Sequence, residues 1–508
     1  MAHVDSQQST ATADDRRDAR SAPNDSAPVQ GQINKWIVFT IVAIGVFMAT
    51  LDSSIVNVSL PAIAHGFGIP LNGAIEWVVI AYLVTTAAVI LTAGRLADMI
   101  GHRIIWASGL VLFTLGSVFC GAAPSVGLLI AARALQGLGG ALLFAVSPAM
   151  LTRAFPASER GRALGFNALV VALGTSTGPT LGGLITESLS WRWIFYVNVP
   201  LGVIGFIATM GLLHTPVQHR GGHFDPLGAL LLAIGLASLT GGLSFGQELG
   251  WTSLPIIVLG AAAVIALGAL PFVEQRMRYP ILNFALFRNR VFVSAQISLM
   301  ISFLALFAVS FLLPFYFEQL RGFPVFKAGL LLTPLPLTIA IIAPWSGSLA
   351  DRIGTRWLAA GGLALASIGL VLLSRLNAQS SILDIIWRLA VTGAGQALFQ
   401  SPNNSALLGA APREQQGVAS GFLATGRVIG QSVSVAIAGA VFTGLGAAAA
   451  GQVLAANAAG QGGGDLAQLQ HTFMLGFRTA FLVCAGIAVL GVFTSLVRGK
   501  EERAVTAA

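Results

Sequence analysis

The feature that most constrains this chain is the recurrence of apolar runs of about 20 residues along most of its length. A helix of that length crosses a hydrocarbon core of about 30 Å. The runs are continuous instead of alternating, which argues against a β-barrel. Only 9% of the 508 residues are charged and 55% are hydrophobic, which excludes a water-soluble globule. We therefore predict an all-α membrane protein.

Positive charge supports a count of fourteen spans with both termini in the cytoplasm. With that topology, the cytoplasmic loops and the C-terminal tail together hold sixteen Lys and Arg residues, as the positive-inside rule requires. The opposite loops hold only Arg192, Arg321, Lys327 and Arg375. The net charge of +8 is thus explained by membrane topology, and nucleic acid is not an expected partner.

An internal repeat divides the chain into two parallel halves. GRLADMIGHR (Gly94–Arg103) and GSLADRIGTR (Gly347–Arg356) share seven of ten residues at an offset of 253. Two copies in one orientation predict halves related by an axis along the membrane normal. We expect five segments: a disordered cytoplasmic tail (1–34), a six-helix bundle (35–213), inserted spans 7 and 8 with flanking cytoplasmic loops (214–290), a second six-helix bundle (291–497) and a cytoplasmic C-terminal tail (498–508).

Several further motifs carry a family resemblance. They are LDSSIVNVSLP (Leu51–Pro61), RALQGLGGA (Arg133–Ala141), GTSTGPTLGG (Gly174–Gly183) and WRWIFYVNVPLG (Trp191–Gly202). In order and spacing, the chain resembles the fourteen-span drug:proton antiporters of the EmrB/QacA type within the major facilitator superfamily. The resemblance implies the major facilitator fold, with two six-helix bundles and two extra central helices. It also implies export of amphipathic, cationic or lipophilic drugs across the bacterial inner membrane by alternating access, in exchange for protons.

Asp52 and Arg133 are the candidate proton-coupling residues. Asp52 lies about 24 Å along span 1, beyond the middle of the bilayer, where an ionisable group is a functional candidate. Burial favours its neutral form, whereas a bound cation would favour the carboxylate and expel the proton. In the resembled family the arginine of span 4 faces this acid; an arginine that reaches the membrane interface is the alternative. The repeat offset makes Ala305 the equivalent of Asp52 in the second half, so we expect an asymmetric coupling site.

The remaining candidates are polar residues for a substrate cavity and small or charged residues for gating. We expect the cavity to be lined by Asn57, Gln136, Gln296, Tyr316 and Glu318, although Glu318 could instead lie at the interface. Asp98 is expected to cap the start of span 3 or to pair with arginine, and Asp351 to repeat this design with a weaker effect. The glycines of span 5 predict a kinked, close-packed interface between the halves. The gating candidates are Gly94, Asp98, Arg103, Gly174, Gly178, Pro179, Gly182, Gly347, Asp351 and Arg352.

Two alternatives to drug export remain. The coupling motifs do not encode the substrate, so a dedicated exporter of an endogenous metabolite, antibiotic, lipid or fatty acid fits equally well. A membrane enzyme or sensor is disfavoured, because no converging nucleophile, base or metal ligands are found, and neither cofactor nor metal is expected. No phosphate-binding loop for ATP is present, which leaves the proton gradient as the energy source. The expected partners are drugs, protons and the lipid bilayer, with a periplasmic adaptor protein as a further candidate.

Overall fold

The computed structural model describes residues 34–68, 73–213, 225–276, 284–412, 415–458 and 465–498. In these residues the chain is helical and contains no β-strand. Fourteen segments are long and apolar enough to cross a membrane, which confirms the predicted count. The predicted disordered tail 1–33 and residues 499–508 lie outside the described residues.

The first half contains six membrane spans, the sixth of which is divided in two. Side-chain caps define several helix starts: Asn34 and Ser125 each accept a hydrogen bond from a backbone N–H in the first turn. The sixth span breaks at Val197 into two consecutive helices. The helices are α1 (Lys35–Phe67), α2 (Gly73–Ile100), α3 (His102–Ala122), α4 (Val126–Ala154), α5 (Arg160–Ser188), α6 (Trp193–Tyr196) and α7 (Asn198–Leu212).

The inserted pair and the second half follow the same construction. Asp225, Asn289, Ser381 and Asp465 cap the first turns of their helices. A further helix, α16, lies between the last two spans. The helices are α8 (Pro226–Leu249), α9 (Leu254–Glu274), α10 (Arg290–Phe315, continued by a π-helical turn, Tyr316–Leu320), α11 (Val325–Leu332), α12 (Pro334–Ile353), α13 (Thr355–Ser374), α14 (Ile382–Gly409), α15 (Gln416–Gly444), α16 (Ala447–Ala458) and α17 (Leu466–Leu496).

The two halves meet along two equivalent seams. Helix α2 packs on α15, and α5 packs on α12, so the second helix of each half lies against the fifth helix of the other. This is the arrangement that two parallel repeats produce when they face each other. We call the end of the molecule that holds Asp98 and Asp351 the Asp98 end.

The inserted pair packs on one seam. Helices α8 and α9 pack on each other, and α8 also contacts both α2 and α15. Helix α9 leaves large apolar side chains exposed, among them Leu254, Val264 and Phe272, each at least 70% exposed. Such a surface is suited to lipid, so α8 and α9 form a membrane-facing cover over the α2–α15 seam.

Candidate functional site

Asp52 and Arg133 form an ion pair in the interior of the first half. The distance from Arg133 Nη1 to Asp52 Oδ2 is 2.7 Å, and neither side chain is more than 1% exposed. Gln136 Nε2 and Asn198 Nδ2 each donate to Asp52 Oδ1 at 2.8 Å. The carboxylate therefore accepts from three donors on two helices, which is the way a charge is stabilised away from water.

Arg133 is held on further sides by neutral groups. Its Nε donates to the backbone oxygen of Val78 at 2.9 Å, and its guanidinium carbon lies 4.5 Å from the centre of the Tyr82 ring. Nη1 also donates to Gln136 Oε1 at 2.6 Å. The arginine is thus buried between α1, α2 and α4, and the alternative of an arginine that reaches the membrane interface is excluded.

Glycines of the RALQGLGGA segment allow the neighbouring helices to approach this pair. A Cβ atom at Gly137 would lie 2.6 Å from the backbone oxygen of Tyr82 on α2, and one at Gly116 would lie 2.8 Å from the backbone of Gln136. The close packing of α3 on α4 lets Gln136 Nε2 donate to Ser117 Oγ at 2.8 Å.

Two members of this network were missed by the sequence analysis. Asn198 comes from the WRWIFYVNVPLG segment, and Ser117 lies within an apolar run of α3. Both side chains are completely buried. An amide in the apolar segment that follows Trp193 was the available signal, because a buried polar group requires hydrogen-bond partners. We refer to Asp52, Arg133, Gln136, Asn198 and Ser117 as the Asp52 network.

The second half lacks this network. Arg388, the repeat partner of Arg133, pairs with Asp384 one turn earlier, at 2.8 Å between Nη2 and Oδ2. Ala305 stands at the position equivalent to Asp52 and is part of the apolar core. The structure therefore has the asymmetry that the repeat offset predicts.

The cavity candidates occupy unlike environments. Tyr316 is fully buried, donates its hydroxyl to the backbone oxygen of Asn377 and stacks on Phe477. In this conformation it packs α10 against α17 and does not line a cavity, because its ring is enclosed by other aromatic rings. Gln136 likewise belongs to the Asp52 network.

The other three cavity candidates remain accessible or unsatisfied. Asn57 is exposed on α1, and Glu318 is exposed on the π-helical turn after α10. Gln296 donates Nε2 to the backbone oxygen of Phe422, while its Oε1 has no hydrogen-bond partner in the described part of the chain. A role for these residues in substrate binding stays a prediction.

Asp98 was expected to cap span 3 or to pair with arginine; it does pair with Arg153, but the helix that it caps belongs to the opposite half. Its carboxylate accepts from the backbone N–H groups of Gly417 and Val418 at 3.0 and 3.1 Å, in the first turn of α15. Its contact with Arg153 is longer, at 3.4 Å. A Cβ atom at Gly94 would overlap the backbone oxygen of Gly417, so only glycine permits this approach. Asp98 also lies 3.6 Å from Nε2 of His102, the first residue of α3, but the backbone N–H groups that it caps belong to α15.

Asp351 makes the same contact on the other seam. It accepts from the N–H groups of Gly161 and Arg162 at 3.0 and 3.2 Å, in the first turn of α5. Gly347 approaches the backbone of Gly161 as closely as Gly94 approaches Gly417. Both repeats thus use an aspartate at the end of one half to satisfy the N-terminal N–H groups of a helix in the other half.

The arginines of the two repeat segments lie elsewhere. Arg103 Nη2 donates to the backbone oxygen of Met210 at 2.8 Å, and so joins α3 to α7 within the first half. Arg352 lines a cleft of about 640 Å³ between α5 and α12, together with Arg162, Phe166 and Trp345. A gating role for these arginines stays a prediction.

The glycine stripe of α5 packs within the first half, and not between the halves as the sequence analysis expected. Cβ atoms at Gly174, Gly178 and Gly182 would meet Thr50, Ser54 and Ile55 of α1, respectively. The face of α5 toward the other half instead carries Gly161 and Gly165, which approach α12. One face of a helix cannot pack on two neighbours. The face that carries the stripe packs on α1, so it is not the face that meets the other half. The side chain of Pro179 lies outside the described residues.

Comparisons with known proteins agree with this architecture. The family model described as Major Facilitator Superfamily matches residues 42–435 and 337–507. Multidrug resistance protein Stp of Mycobacterium tuberculosis is 35% identical over 412 residues, which cover 80% of this chain and 76% of Stp. Riboflavin transporter RibZ of Clostridioides difficile is 36% identical over 409 residues, which cover 80% of this chain and 88% of RibZ. The crystal structure of the human organic anion transporter MFSD10 (TETRAN) is similar at a TM-score of 0.63 and 15% identity. The match covers 91% of this chain and 99% of the MFSD10 chain.

Proposed function

Because the chain belongs to the major facilitator superfamily, we propose that it is a proton-coupled antiporter that exports amphipathic, drug-like compounds across the bacterial inner membrane. Relatives that are named for multidrug resistance, such as Stp, support drug export. Membrane proteins of this fold work by alternating access, in which the two halves rock about a site between them. We place both termini, and therefore the Asp98 end, on the cytoplasmic side.

The observation that carries the proposal is the buried Asp52–Arg133 pair. In this structure both carboxylate oxygens of Asp52 accept hydrogen bonds, and a bound proton would place a hydrogen on one of them. The proton would also remove the negative charge that neutralises Arg133. Loss of one partner of a buried pair costs about 3–5 kcal/mol. Proton binding can therefore shift a two-state equilibrium by a large factor, which is what coupling requires.

The contacts of Asp98 and Asp351 supply the second part of the mechanism. Each holds the first turn of a helix in the opposite half, and both lie at the same end of the molecule. These contacts close the Asp98 end in this conformation. Rocking of the halves would break both, so we propose that they act as a pair of latches that favour the state closed to the cytoplasm.

Vesicle transport tests the proton-coupled mechanism. We expect inverted vesicles from a host without its own drug exporters to accumulate dye only under a proton gradient, and a protonophore to abolish accumulation. Asp52→Asn should lower gradient-driven accumulation to the level of empty vesicles, because the exchangeable carboxyl group is gone. Asp384→Asn is the matched control, since it removes an ion-paired acid from the other half. Unchanged gradient-driven transport in Asp52→Asn would remove Asp52 from the mechanism.

A dedicated exporter of one metabolite is the second candidate. RibZ, which is as similar to this chain as Stp, is named as a riboflavin transporter. The same vesicles, presented with riboflavin and a panel of structurally unrelated drugs, separate the two functions. Transport of riboflavin alone would favour the dedicated exporter, and transport of several unrelated drugs would favour the broad one.

A further inference from the structure

Helix α15 carries a polar stripe on one face. Ser420, Arg427 and Ser434 are spaced seven residues apart, and Gln431 lies one turn after Arg427. Residues at this spacing share one side of an α-helix. We call these four residues the Arg427 stripe.

Neighbouring contacts show which way the stripe faces. On one side of it, Gly417 and Gly421 approach α2 of the first half. On the other side, Gly426 and Gly430 approach α10 of the second half. At the start of the same face, Gln416 contacts Thr152 of α4. The stripe is therefore directed between α2 and α10, toward the space that the two halves enclose, and not toward lipid.

The polar groups of this face lack protein partners. Among the described residues, Arg427 forms no ion pair and no hydrogen bond, and its guanidinium carbon lies 5.3 Å from the centre of the Phe303 ring. Its Nε and the hydroxyl groups of Ser420 and Ser434 are buried without a hydrogen-bond partner, as is Gln296 Oε1 on α10. A native core satisfies nearly all such groups, so several in one place indicate a binding surface.

The charge of this surface is positive. An arginine remains protonated even inside a membrane, and its planar donors match carboxylates and other delocalised anions. Asp98 caps Gly417 and Asp351 caps Gly161, so these two glycines are equivalent positions of the two repeats. By the same alignment, Val171 of the first half is the equivalent of Arg427. The first half therefore carries no charge at the position equivalent to Arg427. Asp52, the expected counter-charge for cations, is already neutralised by Arg133.

We propose that Arg427 recognises the substrate, and that the preferred substrates are amphipathic anions whose acidic group binds the guanidinium while an aromatic body packs on Phe303. This inference rests on the proposed transport function and names its substrate class. It replaces the expectation of cationic drugs.

Two dyes with one xanthene ring system and opposite charge, fluorescein and rhodamine 6G, test the inference. Binding to the purified full-length protein is measured by fluorescence polarisation. We expect wild type to prefer the anionic fluorescein, and Arg427→Gln to weaken fluorescein binding about 10- to 100-fold, the range of a lost charge-assisted hydrogen bond. Arg427→Lys should retain part of the affinity. Arg478→Gln, an exposed arginine on α17, is the control and should bind as wild type does.

The outcomes separate this inference from the transport function. Gradient-driven transport of rhodamine 6G without binding of fluorescein would leave the antiporter intact and overturn the anion site. Equal fluorescein binding by wild type and Arg427→Gln would also overturn it. If Arg427→Gln does not fold, Arg427→Lys decides, because undiminished affinity in that folded variant would contradict planar recognition by arginine. Selective binding of fluorescein without any gradient-driven transport would support the anion site and reject proton-coupled export.

Discussion

The Asp52 network and the Arg427 stripe, one in each half, differ in whether their charged groups are paired. In the first half, Asp52 and Arg133 are enclosed by donors and acceptors from α1, α2, α4 and α7. In the second half, the Arg427 stripe leaves a charge and two hydroxyl groups without protein partners among the described residues. A buried charge that is paired is stabilised by the protein itself, whereas an unpaired charge is available to a ligand. The comparison suggests that proton coupling and substrate recognition belong to different halves.

The largest effect is expected from removal of Arg133. Arg133→Ala leaves Asp52 buried without its counter-charge, which costs about 3–5 kcal/mol of stability. Thermal unfolding in detergent, followed by tryptophan fluorescence, measures the loss. The double variant Asp52→Asn, Arg133→Gln should recover most of the stability and none of the gradient-driven transport. Wild-type stability in Arg133→Ala would mean that the network is less tightly closed than the structure shows.

An intermediate effect is expected at the two latches, which compare the halves directly. Asp98→Asn and Asp351→Asn each remove the negative charge from a helix N-terminus, worth about 1–2 kcal/mol. The population ratio of the two conformations should therefore change roughly tenfold in each variant. Distances between spin labels on the two halves at the Asp98 end report the change; Cys120 and Cys484 are buried and do not interfere.

Equal shifts are expected because the two aspartates have nearly the same hydrogen-bond lengths. The sequence alone favoured a weaker second latch. If only Asp98→Asn changed the population ratio, the contact of Asp351 would be the weaker of the two, as the sequence predicted, in spite of its similar hydrogen-bond lengths.

The smallest effect is expected at the ion pair of the second half. Arg388 and Asp384 are partly exposed and lie one turn apart, so the pair contributes less than about 1 kcal/mol. Arg388→Gln should retain near wild-type unfolding temperature and transport. A loss as large as that of Arg133→Ala would reject the division of labour between the halves.

Local patterns in the sequence predicted the features that depend on local physics. Apolar runs gave the fourteen spans, and a mid-membrane acid and arginine in separate spans gave Asp52 and Arg133 as candidates. Of the two contacts expected for Asp98, the arginine pair is present with Arg153, whereas the helix that it caps is α15 and not span 3. Its partner Gly417 lies 319 residues away, and local spacing carries no information about contacts between halves. The stripe of Gly174, Gly178 and Gly182 marked close packing but not the identity of the neighbour, which is α1. The sequence places Arg427 in an apolar run but does not show which buried groups lack partners there, so its surroundings could not be predicted.

The cover formed by α8 and α9 gives the molecule two unlike flanks. A lipophilic molecule that diffuses within the bilayer meets α8 before it can touch the α2–α15 junction. On the opposite flank it reaches the crevice beside Trp345, a side chain that is 77% exposed, with no inserted helix in between among the described residues. The inserted pair therefore covers one of the two seams and leaves the other uncovered among the described residues, even though the two repeats that it separates are built alike.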